Sequence, residues 1–424
     1  MLDRTRPPDI YHIDRLHLPQ PLVDYLDNGI PVYDTRIHTQ DVLKIEFVFQ
    51  AGRPQESKKL VARATSGLLK DGAGALDGAA IAEAIDFYGS TLNIPSGMDA
   101  VNIVFYCLTK HLTSVLPVLA DLILRPTFPQ HELEAYILRH QQNLKIDLSK
   151  PDIVAYRHIT EMIFGETHPY GYNSFPEHYA ALKREDLQEH HQKWYHANNC
   201  KLFICGKTDD QTIRLLNQYF GKMPSGVPVV SSILPAVPSG PLGKKHFPHA
   251  DAVQTAVYIG RRMFSRNHPD FSGMFVLNTI LGGYFGSRLM NNIREEKGYT
   301  YNIFSMLDTM HSDGLFYIGT EVGNEFKQQT IAEIYTEMEL LREEPVDAEE
   351  MDMVRNYLMG GFLTMLDGPF NVSEVVRTLI TESLPLEFFE QWVNKVANIT
   401  PDELQALAQK YLDPTSMWEV AVGN

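Results

Sequence analysis

Only three cysteines occur in 424 residues, Cys107, Cys200 and Cys205, and neither their odd number nor their spacing suggests a disulfide framework or a CxxC site. Cys200 and Cys205 fall at opposite parity on one apparent strand, NNCKLFIC, and read as core residues. No apolar run approaches the roughly 18 to 20 residues needed to cross a bilayer. The opening MLDRTRPPDIYHIDRL has no apolar core behind its basic residues and no small-residue cleavage site, so no secretory leader is read there and a cytoplasmic location is expected. Positive charge is in deficit. The 37 Lys and Arg against 53 Asp and Glu leave a net charge of -16, which repels nucleic acid and anionic lipid, so neither is expected as a partner. The glycine-rich LGGYFGSRL (residues 281–289) lacks both GxGxxG and a following Gly-Lys-Ser/Thr, which argues against a phosphate loop and leaves a close-packed turn or substrate-facing loop.

What is present is globular: 44% hydrophobic and 21% charged residues, in a chain long enough for two domains. The chain also repeats itself. Residues 183–206, KREDLQEHHQKWYHANNCKLFICG, align with residues 399–423, ITPDELQALAQKYLDPTSMWEVAVG, at a single offset of about 217 residues, as from Asp186 to Glu403. Both copies read as an amphipathic helix followed by a buried strand, and in the second Thr400, Pro401 and Glu403 supply N-cap, first-turn proline and capping box. Upstream, VFQAGR (48–53) matches VYIGRR (257–262), each read as a strand that ends in glycine and leads to a helix.

Each half then continues with paired strands and helices. STLNIPSG and AVNIVFYCL flank the Gly97-Met98-Asp99 turn, followed by a helix over 112–124; TYNIFSML and GLFYIGTEV flank His311-Ser312-Asp313, followed by a helix over 326–341. Hairpins with helices gathered between them predict an α+β fold of two homologous domains, each a mainly antiparallel sheet packed with helices. The Pro/Gly/Ser-rich segment 223–248 reads as a linker between domains at 1–222 and 249–424.

These two like halves, together with HPYGY (168–172) and SRLMNNIREEKGYTY (287–301), resemble the insulinase/pitrilysin zinc metallopeptidases. The short two-domain form, similar to the processing peptidases, is the nearest in shape; the resemblance implies a chamber enclosed by two subunits. In that family HxxEH on a first-domain helix binds zinc through two histidines and uses the glutamate as general base, and a more distant glutamate completes the coordination. Here the stretch leading to Lys70-Asp71-Gly72-Ala73 registers Arg63-Ala64-Thr65-Ser66-Gly67 on the motif, and the distal ligand falls on Asn143 or a neighbouring glutamine. Arg63, Ser66, Gly67 and Asn143 offer no zinc ligand set, and the positive Arg63 opposes a cation. The remaining histidines give no other site: His190, His191 and His196, read on one helix, do not share a face, His246 and His249 lack a companion carboxylate, and His131 lacks a motif partner.

The family's second-domain pattern R-E-x-x-G-x-x-Y is complete, from Arg294 to Tyr301. The resemblance implies that Arg294 presents its guanidinium to a substrate carbonyl or carboxylate, and that Tyr301, brought round by Gly298, donates to the oxyanion of amide hydrolysis. The whole reading is a zinc-less subunit of a heterodimeric metalloendopeptidase, inactive alone. It needs no cofactor itself, and zinc is expected in a homologous HxxEH-bearing partner, with a homodimer possible when the chain is alone. The alternative is a scaffold of the same fold, like the core subunits of respiratory complexes.

Overall fold

The computed structural model describes residues 15–37, 40–95, 97–227, 242–250 and 252–424. The first half contributes β1 (Leu22–Tyr25), β2 (Pro31–Thr35), β3 (Val42–Phe49), a minimal ribbon of β4 (Gly72–Ala73) with β5 (Leu76–Asp77), and then β6 (Thr91–Asn93), β7 (Val101–Leu108) and β8 (Cys200–Gly206). Apart from the ribbon these form a sheet in the order β1-β2-β8-β3-β7-β6. The second half contributes β9 (Lys244–Pro248), β10 (Gln254–Met263), β11 (Thr300–Thr309), β12 (Gly314–Gly323) and β13 (Trp418–Gly423), in the order β11-β12-β10-β13-β9.

Apart from the edge strand β1, the two orders superpose when one is reversed, and even the exceptional pairing is repeated. β2 runs parallel to β8, with Val32 opposite Leu202, as β9 runs parallel to β13, with Lys245 opposite Val420. All other ladders are antiparallel, so the fold is the α+β, processing-peptidase-like arrangement.

Strand β9 corrects the linker. Residues 223–248 do not run free to Pro248, because Lys244–Pro248 belongs to the second sheet; residues 228–241 of that segment, like residues 1–14 of the N-terminal reading, lie outside the described residues. KKHFP hides its strand because β9 is an edge, where only one neighbour imposes burial and lysine is favoured. A second correction concerns Gly260, which does not end its strand: β10 runs through it to Met263. A β-carbon there would meet the Phe316 carbonyl oxygen at 2.5 Å, so close approach of the neighbouring strand, not a turn, requires the glycine. Gln254–Met263 and the capped helix Pro401–Tyr411 otherwise follow the sequence, with Glu403 N–H donating to Thr400 Oγ1 at 3.2 Å and Thr400 N–H to Glu403 Oε2 at 3.0 Å.

Strand β3 is buried on both faces, and its two parities go to different places. Leu43, Ile45, Phe47 and Phe49 join the core of the first half. Lys44, Glu46 and Val48 face the helix Gly368–Thr381, which comes from the second half. Lys44 and Glu46 are joined at 2.8 Å; Lys44 also reaches Glu374, and Arg377 reaches Glu46 at 3.2 Å. Lys201 donates to the Ile380 carbonyl at 2.8 Å.

The reciprocal arrangement holds on the other sheet. Helix Pro151–Phe164 of the first half lays Ala155, Ile159, Ile163 and Phe164 on Ala256, Tyr258, Leu315, Tyr317, Val420 and Val422. Each half therefore lends one helix to cover the other's sheet. Burial of each large apolar side chain there contributes on the order of 1.5 to 3 kcal/mol, which holds the halves together.

Candidate functional site

Two neighbourhoods bear on function, and the first is the degenerate metal motif. Helix Val61–Leu68 carries Arg63, Ser66 and Gly67, and helix Gln130–Asp147 carries Asn143; the structure brings Arg63 and Asn143 to the wall of one cavity of about 280 Å³. Ser66 is buried and turned inward, its hydroxyl donating to the Arg63 carbonyl at 3.1 Å. Beside Gly67 stands the buried Tyr136 ring, 3.1 Å from where a β-carbon would lie. Tyr136 and His140 pack with ring centres 4.0 Å apart, and His140 stacks in turn on Tyr179 at 5.8 Å.

A guanidinium, a hydroxyl, a glycine and an amide do not fit zinc, and the volume one ligand would need is filled by a tyrosine. Burial first, with the positive fields of Arg63 and Arg139, pushes His140 down to about 4, so it stays neutral at ordinary pH. Among the described residues no group of three or more His, Cys, Asp or Glu is arranged to hold a metal. His190 and His191 bond the carbonyls of Ala51 at 3.1 Å and Ile123 at 2.9 Å, and His196 lies beyond the end of their helix, Arg184–Trp194.

The second neighbourhood holds the Arg/Tyr pair. A wide, π-type turn of helix over Met290–Glu296 carries Arg294. Gly298, at φ 65°, then reverses the chain into β11. The ladder between β11 and β12 slips between Thr300 and Ile303, which frees Tyr301 from regular pairing and leaves it 85% exposed. The result is a layered cluster: the Arg294 guanidinium lies 5.1 Å from the Tyr301 ring centre and 4.6 Å from that of Phe285. Glu295 touches its Nε at 3.4 Å, leaving the other nitrogens of the fork available.

The sequence motif names the arginine and tyrosine but not Phe285, although the loop LGGYFGSRL that bears it stands out for its glycines. Tyr136, Arg53 and Arg157 were also missed, and no local pattern marks them. Arg294 and Tyr301 are not among the residues lining the first cavity.

Residues 181–358 match the family described as the peptidase M16 inactive domain. The uncharacterized zinc protease YmxG of Bacillus subtilis is 22% identical over 289 residues, covering 68% of this chain and 69% of that one. The non-peptidase homolog YmxG of Helicobacter pylori is 21% identical, over 93% of this chain and 92% of its own. Through this match and these relatives the chain is similar to the peptidase M16 family. Among solved M16 structures, the peptidase M16 inactive domain from Pseudomonas fluorescens superposes with a TM-score of 0.87 at 22% identity, over 95% of this chain and 98% of that one. The chain contains no HxxEH anywhere in its sequence. Among its described residues no helix is long and apolar enough to cross a membrane.

Proposed function

We propose that this chain is the non-catalytic subunit of a two-chain M16 endopeptidase, lending Arg294 and Tyr301 to an active site whose zinc and HxxEH belong to a homologous partner, in the cytoplasm. The observation that carries the reading is the asymmetry between the two neighbourhoods. The metal motif is replaced at every ligand position and its space refilled, whereas the Arg/Tyr pattern is intact, with the tyrosine exposed and the guanidinium against the rings of Phe285 and Tyr301.

In that role the partner performs hydrolysis, and this chain binds and orients. Arg294 holds a peptide carbonyl or carboxylate through its free nitrogens, and the Tyr301 hydroxyl donates to the oxygen on which negative charge develops. The test is turnover of a peptide library by this chain alone, by the HxxEH-bearing homologue alone, and by the two mixed. Activity that requires both chains and falls with Arg294→Ala or Tyr301→Phe supports the proposal. Unchanged activity in both variants would leave this chain a scaffold.

A further inference from the structure

The refilled metal site is not merely closed. Its cavity, between helices Val61–Leu68, Gln130–Asp147 and Pro151–Phe164, is lined by Arg53, Arg63 and Arg157 against a single acid, Asp147. None of the ion pairs found among the described residues involves any of these arginines. Arg53 donates to the carbonyls of Pro169 at 3.2 Å and Tyr172 at 3.4 Å, and Arg157 to that of Ser174 at 2.6 Å. Backbone carbonyls orient these two side chains without cancelling their charge.

The nearby acids make their direct contacts with other groups. Asp147 pairs with Lys150 at 3.3 Å, Glu161 accepts from Asn173 at 2.6 Å, and Glu56 accepts from the Tyr172 hydroxyl at 2.7 Å. In a chain of net charge -16, three guanidinium groups on one concave wall, none with an ion-pair partner among the described residues, make a local site for an anion.

We infer that this cavity is a binding site for a peptide carboxylate, received by Arg63, Arg53 and Arg157 in the region where the family's metal would otherwise stand. The inference rests on the reading that this chain handles peptides. Three features favour a peptide's carboxylate over a bare ion. The volume, about 280 Å³, admits a terminal residue rather than an oxyanion alone. Tyr156, Tyr170 and Tyr172 supply ring surface beside the charge. Asn143, exposed at the rim, offers the donor and acceptor that one peptide unit requires.

The test needs neither partner nor turnover, so it succeeds or fails separately from the proposed peptidase role. Fluorescein-labelled hexapeptides, one with a free C-terminal carboxylate and one amidated, are titrated with the isolated full chain and followed by anisotropy. The free acid is expected to bind about tenfold or more tightly than the amide, the order for a charge-assisted contact. Arg63→Ala should remove most of that difference; Arg63 is exposed and holds up no loop, unlike Arg53 and Arg157, so this variant reads binding without unfolding the pocket. An amidated peptide that binds equally well through an internal glutamate, and loses that binding in Arg63→Ala, supports the same site with a side-chain carboxylate as ligand. Equal affinity for the acid and the amide, untouched by Arg63→Ala, overturns the inference. So does inorganic phosphate binding at this cavity while no carboxylate peptide binds at all.

Discussion

The ring of Tyr136 lies against Gly67, with Cε2 3.1 Å from the point a β-carbon on that glycine would occupy. The position that the sequence registers on the family's second histidine is thus crowded by packing as well as occupied by glycine. Restoring the ligands by Arg63→His, Ser66→Glu, Gly67→His and Asn143→Glu should therefore fail to give stoichiometric zinc. Gly67→His alone should destabilise the chain by about 1 to 3 kcal/mol, the usual cost of overpacking, measured by urea denaturation with metal analysis in parallel. In the unsubstituted chain, a chelator should leave the melting temperature unchanged. One tightly held zinc, with a melting temperature that drops on chelation, would contradict this account.

The exchange between halves gives a pH-dependent stability. Burial opposes the charge of Lys44, but Glu46 and Glu374 outweigh it and raise the lysine above its usual value of 10.5. That contribution is full below 10.5 and is lost as pH rises through the folded value. Glu374 is lowered below 4.5, since Lys44 and Arg377 outweigh its burial, so its contribution is present above 4.5 and is lost as pH falls through the folded value. Stability should show a plateau with losses in acid and in strong alkali, and Lys44→Ala should cost about 1 to 3 kcal/mol, because Glu46 then keeps only Arg377 and Asn102 as partners. Denaturation midpoints across pH, for the parent and this variant, measure both.

Much of this was legible beforehand, and what was not has a common cause. The hairpins and the cap at Thr400 are local signals, carried by periodicity and spacing over a few turns, and the repeat is the recurrence of such signals in the second half. The exchanged helices are not local, because the apolar face of Pro151–Phe164 shows that it is covered without showing by which sheet. A trace existed: Leu148-Ser149-Lys150-Pro151 and Leu366-Asp367-Gly368-Pro369 open the two exchanged helices alike. The repeat would also have placed β9, as the counterpart of β2. For the candidate site, Arg294 and Tyr301 came from a motif, whereas Tyr136, Arg53 and Arg157 converge only through tertiary packing and carry no sequence mark.

At the Arg/Tyr pair, the hydroxyl and the ring separate by substitution. Tyr301→Phe keeps the ring beside Arg294 and removes only the donor, so kcat of the mixed complex should fall roughly 10²-fold while KM changes little. Phe285→Ala keeps the donor and loosens the arginine, so its effect should appear mainly in KM. Steady-state kinetics on the mixed complex distinguishes them, and equal loss in both parameters for both variants would deny the division of roles.

Limited proteolysis should cut within the Pro/Gly/Ser-rich residues 223–243 and spare Lys244–Pro248, which is held in the sheet beside β13. On a denaturing gel two fragments of roughly half size are expected. By native size exclusion the cut chain should elute unchanged, because each fragment retains a helix that roofs the other's sheet. Separation of the fragments without denaturant would show that the exchanged helices contribute little.

That reciprocity also sets an order on the ribosome. The first sheet is complete in sequence at Gly206, yet the surface bearing Lys44, Glu46 and Val48 has no lid until Gly368–Thr381 has been made. At ordinary elongation rates the nascent chain waits on the order of 10 s with a half-finished wall of mixed charge and apolar groups facing solvent or a chaperone. Neither half can mature first, and synthesis of the last quarter of the chain is the event that closes both.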